Sequence, residues 1–97
     1  LAAAAVLSAG LQGVKENLKL DAPLKGNAYE VQDSLASDLQ LPTTLKEATK
    51  NLESSKVAKN LLGHEFVDHY VSSRKWEVSE YEKAITDWQL KRYFEII

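Results

Sequence analysis

Cysteine is absent from this 97-residue chain, which excludes disulfides, zinc–thiolate centres and thiol catalysis outright. Its absence says little about compartment, although nothing demands an oxidising one; the location expected for the chain is the cytoplasm. A basic cluster is missing too: 12 Lys and Arg stand against 14 Asp and Glu, a net charge of −2. A nucleic-acid-binding surface needs clustered positive charge, so no nucleic acid is expected as a partner. No apolar run approaches the ~20 residues that cross a bilayer, so no membrane is expected either. No stretch alternates polar and apolar residues as a strand would.

What is present is an ordinary globular apolar fraction, 44%, in a chain long enough for one domain at most. Its last third, from Gly63 to Ile97, holds both tryptophans, both phenylalanines and three of the four tyrosines. Aromatic side chains bury the most area per residue, so this segment should decide how the chain is held. Val67, Tyr70, Val71, Val78, Tyr81, Ile85 and Trp88 recur in steps of three, four and seven, with Arg74 the polar member of the row. That spacing places one core-packing stripe along a helix.

Leu1 to about Leu20 should be helical, because alanine and leucine are strong helix formers. The run Leu1–Leu11 lacks an initiator Met and a basic flank, so it reads as a buried helix rather than a signal peptide. A chain that starts on Leu in mid-helix looks cut from something longer. Gly10 and Gly13 suggest a close neighbour at that helix. Residues 21–42 read as one long loop, with Pro23, Gly26 and Asn27 as turn formers, Pro42 at its end and Tyr29 as an aromatic anchor.

Thr44-Leu45-Lys46-Glu47 fits a capping box, opening a short helix with Leu45, Ala48 and Leu52 on one side. A second short helix from Ser54 or Ser55 carries Val57, Ala58, Leu61 and Leu62, and Gly63 is placed as its left-handed cap. A long helix should run from about 64 to 84. Thr86-Asp87-Trp88-Gln89 repeats the capping-box pattern, so a separate final helix is expected over about 87–95.

These residues offer no catalytic constellation. His64 and His69 are five apart, about 140° around a helix, where a zinc-protease helix needs two histidines four apart on one face. His64 with Asp68 and Glu65 with His69 read as surface pairs. Ser72 and Ser73 have no base and orienting acid. No glycine-rich phosphate loop occurs. No catalytic, cofactor-binding or metal-ligating residue is assigned in this chain.

The segments Gly63–Tyr70, Trp76-Glu77, Ile85–Trp88 and Arg92–Glu95 together resemble the C-terminal end of the glutamine synthetase family. The likeness is to its type I branch, and especially to γ-glutamyl-amine (polyamine) synthetases. Leu1–Val14, Gly26–Glu30 and Leu41–Ala48 are similar to family sequence in the same order, so the resemblance covers residues 1–97. It implies an ATP-dependent ligase that uses Mg or Mn and joins glutamate to ammonia or an amine. The family's metal ligands and phosphate-binding residues would precede Leu1. The chain is then expected to be an all-α fragment, about five helices and one long loop, of a parent α+β catalytic domain.

The resemblance implies a homo-oligomeric ring and docking of the remaining catalytic domain. It implies subunit contact through the tail residues Tyr93, Phe94, Ile96 and Ile97, with packing inside the chain as the alternative. It also places Tyr29 near a tyrosine that is adenylylated in some bacterial members, although Asn27-Ala28-Tyr29-Glu30 departs from the usual target pattern. A non-catalytic helical module derived from the family is the competing reading. On its own the chain should be helical but loosely packed, with apolar surface exposed.

Overall fold

Polar side chains set where most of the helices begin. In the computed structural model, which describes residues 1–94 and 96, the Thr44 hydroxyl accepts from the Glu47 amide and opens α3 (Leu45–Ser54). Glu47 reaches back one residue further than a capping box requires, accepting from the Thr43 amide at 3.3 Å rather than from Thr44. Ser55 caps α4 (Lys56–Leu62) by accepting from Ala58. Thr86 and Gln89 form the complete reciprocal box at the start of α6 (Asp87–Tyr93). Each such cap satisfies amides that would otherwise lack a partner.

Between α4 and α6 lies α5 (His64–Lys83), the longest element at 20 residues. Gly63 joins α4 to α5 with φ 90° and ψ 140°. The positive φ needs a glycine, but the extended ψ differs from the expected left-handed cap. The Gly63 amide closes the last turn of α4 on Lys59 while its carbonyl accepts from Val67. One residue thus ends one helix and starts the next.

The first helix, α1 (Ala2–Lys15), stops short of the expected Leu20. Asn17 takes a left-handed φ of 51°. The Leu18 amide then bonds the Gly13 carbonyl and the Asn17 amide the Val14 carbonyl. This is the Schellman closure, which asparagine tolerates when glycine is lacking. Within 21–42 the chain is less bare than a plain loop. Asn27 caps the single turn α2 (Ala28–Val31), and two 3₁₀ turns follow at Gln32–Ser34 and Ser37–Leu39. No strand occurs among the described residues, and five helices of seven or more residues make the fold all-α.

Packing centres on α5. Helices α3 and α4 lie against it and α1 lies against α4. The buried centre is small: Val67 and Val71 of α5 and Thr49 of α3. Thr49 can be buried because its hydroxyl donates to the Leu45 carbonyl at 2.7 Å, leaving no polar atom unpaired. Ion pairs bridge the rim, Lys75 to Glu53 at 2.6 Å, Lys46 to Glu82 at 2.7 Å and Lys59 to Asp68 at 3.7 Å. Exposed pairs of this kind contribute about 0–1 kcal/mol each, so they fix register more than stability.

The single stripe expected from Val67 to Trp88 is interrupted. Helix α5 ends at Lys83, and Ile85 and Trp88 lie beyond it with 73% and 65% of their surface exposed. The outline is correspondingly thin, 60 × 38 × 19 Å with a radius of gyration of 18.3 Å. A compact chain of this length would have a radius near 12.5 Å. The exposed area is 8867 Å², against about 5,500 Å² for a compact protein of equal mass.

Candidate functional site: exposed apolar faces

Among the described residues no polar cluster is organised for chemistry. His64 and His69 are both exposed on α5, and Asp68 pairs with Lys59 of α4 rather than with His64. Neither His64–Asp68 nor Glu65–His69 forms an ion pair among the described residues. The Ser72 hydroxyl donates to the Asp68 carbonyl and the Ser73 hydroxyl to the Tyr70 carbonyl, each at 2.8 Å. Backbone oxygens thus take the place a general base would need.

A groove of about 660 Å³ runs between α3 and α5, lined by Lys46, Lys50, Glu53 and Lys75 among others. Two of its three lysines are already neutralised by Glu53 and Glu82. Among the described residues no three His, Asp or Glu side chains are grouped to hold a metal ion. The donor set of this groove does not fit Mg, Mn or the phosphates of ATP.

The surface that stands out is apolar. Helix α1 is turned inside out. Its half-buried positions are Ala5, Ser8, Gln12 and Gly13, while Val6, Leu7, Leu11 and Val14 are 75%, 66%, 62% and 76% exposed. The buried helix expected from its composition is therefore not buried within this chain. Among the described residues nothing lies within 4 Å of a side chain built at Gly10 or Gly13, so the chain shows no approach close enough to require glycine there. Small or polar residues face α4, and the large apolar ones project outward.

Three other features share this outward orientation. Trp76 projects from α5, and the exposed Tyr81 lies near its end. Tyr29, expected as an anchor, is 86% exposed at its helical turn and packs on nothing substantial. In the tail Tyr93 meets Trp88 edge to face with centroids 5.9 Å apart, whereas Phe94 and Ile96 are exposed. Ile97 and Glu95, where the docking tail and the final helix were expected to end, lie outside the described residues.

No helix among the described residues is long and apolar enough to cross a membrane.

Comparison with known proteins places the chain. The family model for the glutamine synthetase catalytic domain matches residues 1–93. The chain is 43% identical over 95 residues to a type-1 glutamine synthetase of Dictyostelium discoideum, covering 97% of this chain and 18% of that protein. It is 41% identical over 95 residues to a gamma-glutamylethanolamide synthetase of Streptomyces coelicolor, covering 98% and 20%. It is 37% identical over 97 residues to a glutamate–isopropylamine ligase of a Pseudomonas species, covering 100% and 21%. The chain spans about a fifth of the length of these curated relatives. No solved structure matches it significantly. An all-helical chain, related along nearly its whole length to ligases of glutamate, belongs to the glutamine synthetase catalytic-domain family.

Proposed function

We propose that this chain is the helical scaffold and subunit-contact part of an ATP-dependent ligase that joins the γ-carboxyl group of glutamate to ammonia or an amine. One observation carries the reading. A chain related to such ligases along its whole length leaves the large residues of α1 facing outward, as an element does when its cover belongs to another segment. The cover is the rest of the catalytic domain, which also supplies the residues for ATP and for Mg or Mn. Relatives named for an ethanolamide product and for isopropylamine as the partner of glutamate favour an organic amine as the acceptor.

Tail residues Tyr93, Phe94 and Ile96, with Ile97, serve as contacts in a homo-oligomer, and exposure of the first three supports that role. Tyr29 is a site of regulatory modification, supported by its exposure. The protein works in the cytoplasm.

The test is phosphate release by the full-length protein that carries these residues, supplied with ATP, glutamate and ammonia, ethanolamine or isopropylamine in turn. Turnover with at least one acceptor, and no nucleotide binding by the 97-residue chain alone, is the expected result. ATP binding or turnover by the 97-residue chain would overturn the reading. A full-length protein inert toward every acceptor would favour a non-catalytic helical module.

A further inference from the structure

The start of α3 and the end of α5 leave a second hollow between them, of about 610 Å³. Leu45, Val78 and Tyr81 form its apolar walls, and Lys46, Glu77 and Glu82 stand at its rim. The stretch that leads into α3 ends at Thr44, which lines the same hollow. Three residues earlier Leu41 is 82% exposed, and Leu39 just before it is 57% exposed. The two leucines flank Gln40, whose backbone is extended at φ −81° and ψ 137°, so they lie on one side of the chain. The Gln40 side chain donates to the Leu35 carbonyl at 2.9 Å, while the Leu39 amide bonds the Ala36 carbonyl. Residues 35–40 are thus a small knuckle closed by its own hydrogen bonds. It has no extensive contact with any helix among the described residues.

We infer that this knuckle is a strap that closes onto the hollow, seating Leu41 between Leu45 and Tyr81 with Leu39 beside it at the rim. The reach is sufficient, because three residues span at most about 10 Å. The path is narrow. Leu41 precedes Pro42, which restricts it to extended backbone, and the Thr43 amide is tied to Glu47 at 3.3 Å. Thr44 is extended as well, with φ −127° and ψ 152°. Closure therefore swings the knuckle on the few torsions of Pro42 and Thr43, and its entropic cost is small. In return two leucines and the Tyr81 ring leave water. The outward face of α1 waits for another segment, whereas this hollow has an apolar occupant three residues away along the same chain. Closure joins the knuckle to α3 and α5 and shortens the untethered part of the segment that carries Tyr29.

The absence of cysteine makes a cross-link specific. In the 97-residue chain, Leu41→Cys combined with Tyr81→Cys should form an intramolecular disulfide in oxidised glutathione. Leu41→Cys combined with Glu80→Cys is the control, since Glu80 lies about 160° around α5 from Val78, away from the hollow. The first pair should close at least roughly tenfold faster than the second, as closure holds Leu41 beside position 81. Mass spectrometry separates products within one chain from those between chains. Without a cross-link, Tyr81→Ala should quicken amide exchange at 39–41 severalfold and leave that of α3 unchanged. Circular dichroism reports whether its helices are retained. Equal rates for the two pairs, disulfides formed only between chains, or exchange at 39–41 unmoved by Tyr81→Ala would each overturn the inference. None of these measurements involves nucleotide or turnover, so their outcome is independent of the ligase reading.

Discussion

Val67 and Trp76 occupy opposite sides of α5. They are separated by nine positions, about 180° around the helix. Val67 is fully buried and Trp76 is 61% exposed. One helix therefore uses a small side chain to hold the chain together and a large one to face outward. Helix α1 divides its residues in the same way. Burial in this chain does not follow side-chain size, and the predictions below depend on that inversion.

Val67→Ala should cost more than Trp76→Ala, although it removes far fewer atoms. Losing two methyl groups from the centre should lower stability by about 2 kcal/mol. Removing the mostly exposed indole of the isolated chain should change it by less than about 0.5 kcal/mol. Urea unfolding of the two variants, followed by circular dichroism, ranks them. The reverse order would mean that Trp76 is packed.

Gly63→Ala tests the junction of α4 and α5. A side chain there would meet nothing within 4 Å, so crowding is not the issue. The cost is conformational: φ of 90° and ψ of 140° suit glycine alone. About 1–3 kcal/mol of destabilisation is expected, seen as a lower urea midpoint. An unchanged midpoint would show that the junction has another accessible geometry.

Thr86→Ala should unwind α6 while sparing the rest. The Thr86 hydroxyl and the Gln89 side chain satisfy the first amides of a seven-residue helix, and losing the cap costs about 1 kcal/mol. Among the described residues no element packs extensively on α6. Amide exchange within 87–93 should quicken and that within α5 stay as it was. A comparable change in α5 would reveal coupling between the two helices.

Gly10→Ala separates the chain from the enzyme it is proposed to serve. In the chain alone the position is open, and alanine should stabilise α1 by about 1 kcal/mol. In the full-length protein the added methyl should meet the cover over α1 and reduce ligase activity. A stabilised full-length protein with unchanged turnover would place the cover elsewhere.

Local signals were readable from the sequence. Thr86 with Gln89 announced the start of α6, and Thr44 that of α3, because a cap depends on residues three apart. The end of α1 was missed because Asn17, not a glycine, supplies the left-handed turn. Burial was harder to read. Thr49 is in the centre because it bonds to its own helix, a choice that hydrophobic spacing does not register. Conversely, Val6, Leu7 and Leu11 have every mark of core residues and lie outside, since composition records that a residue wants cover without saying which segment provides it. Spacing puts Tyr70, Arg74 and Tyr81 in one row of α5, but that the Arg74 guanidinium rests over the Tyr70 ring is a matter of rotamers.

The 19 Å thickness has a thermodynamic corollary. Helices are about 10 Å across, so such a slab is two deep and every peptide lies one layer from water. Deuterium should enter it region by region, with the α3–α5 contact yielding last and α1 and α6 trading their protons at rates set by their own fraying. Heat should likewise dissolve it gradually, as a row of neighbouring helices rather than a single body.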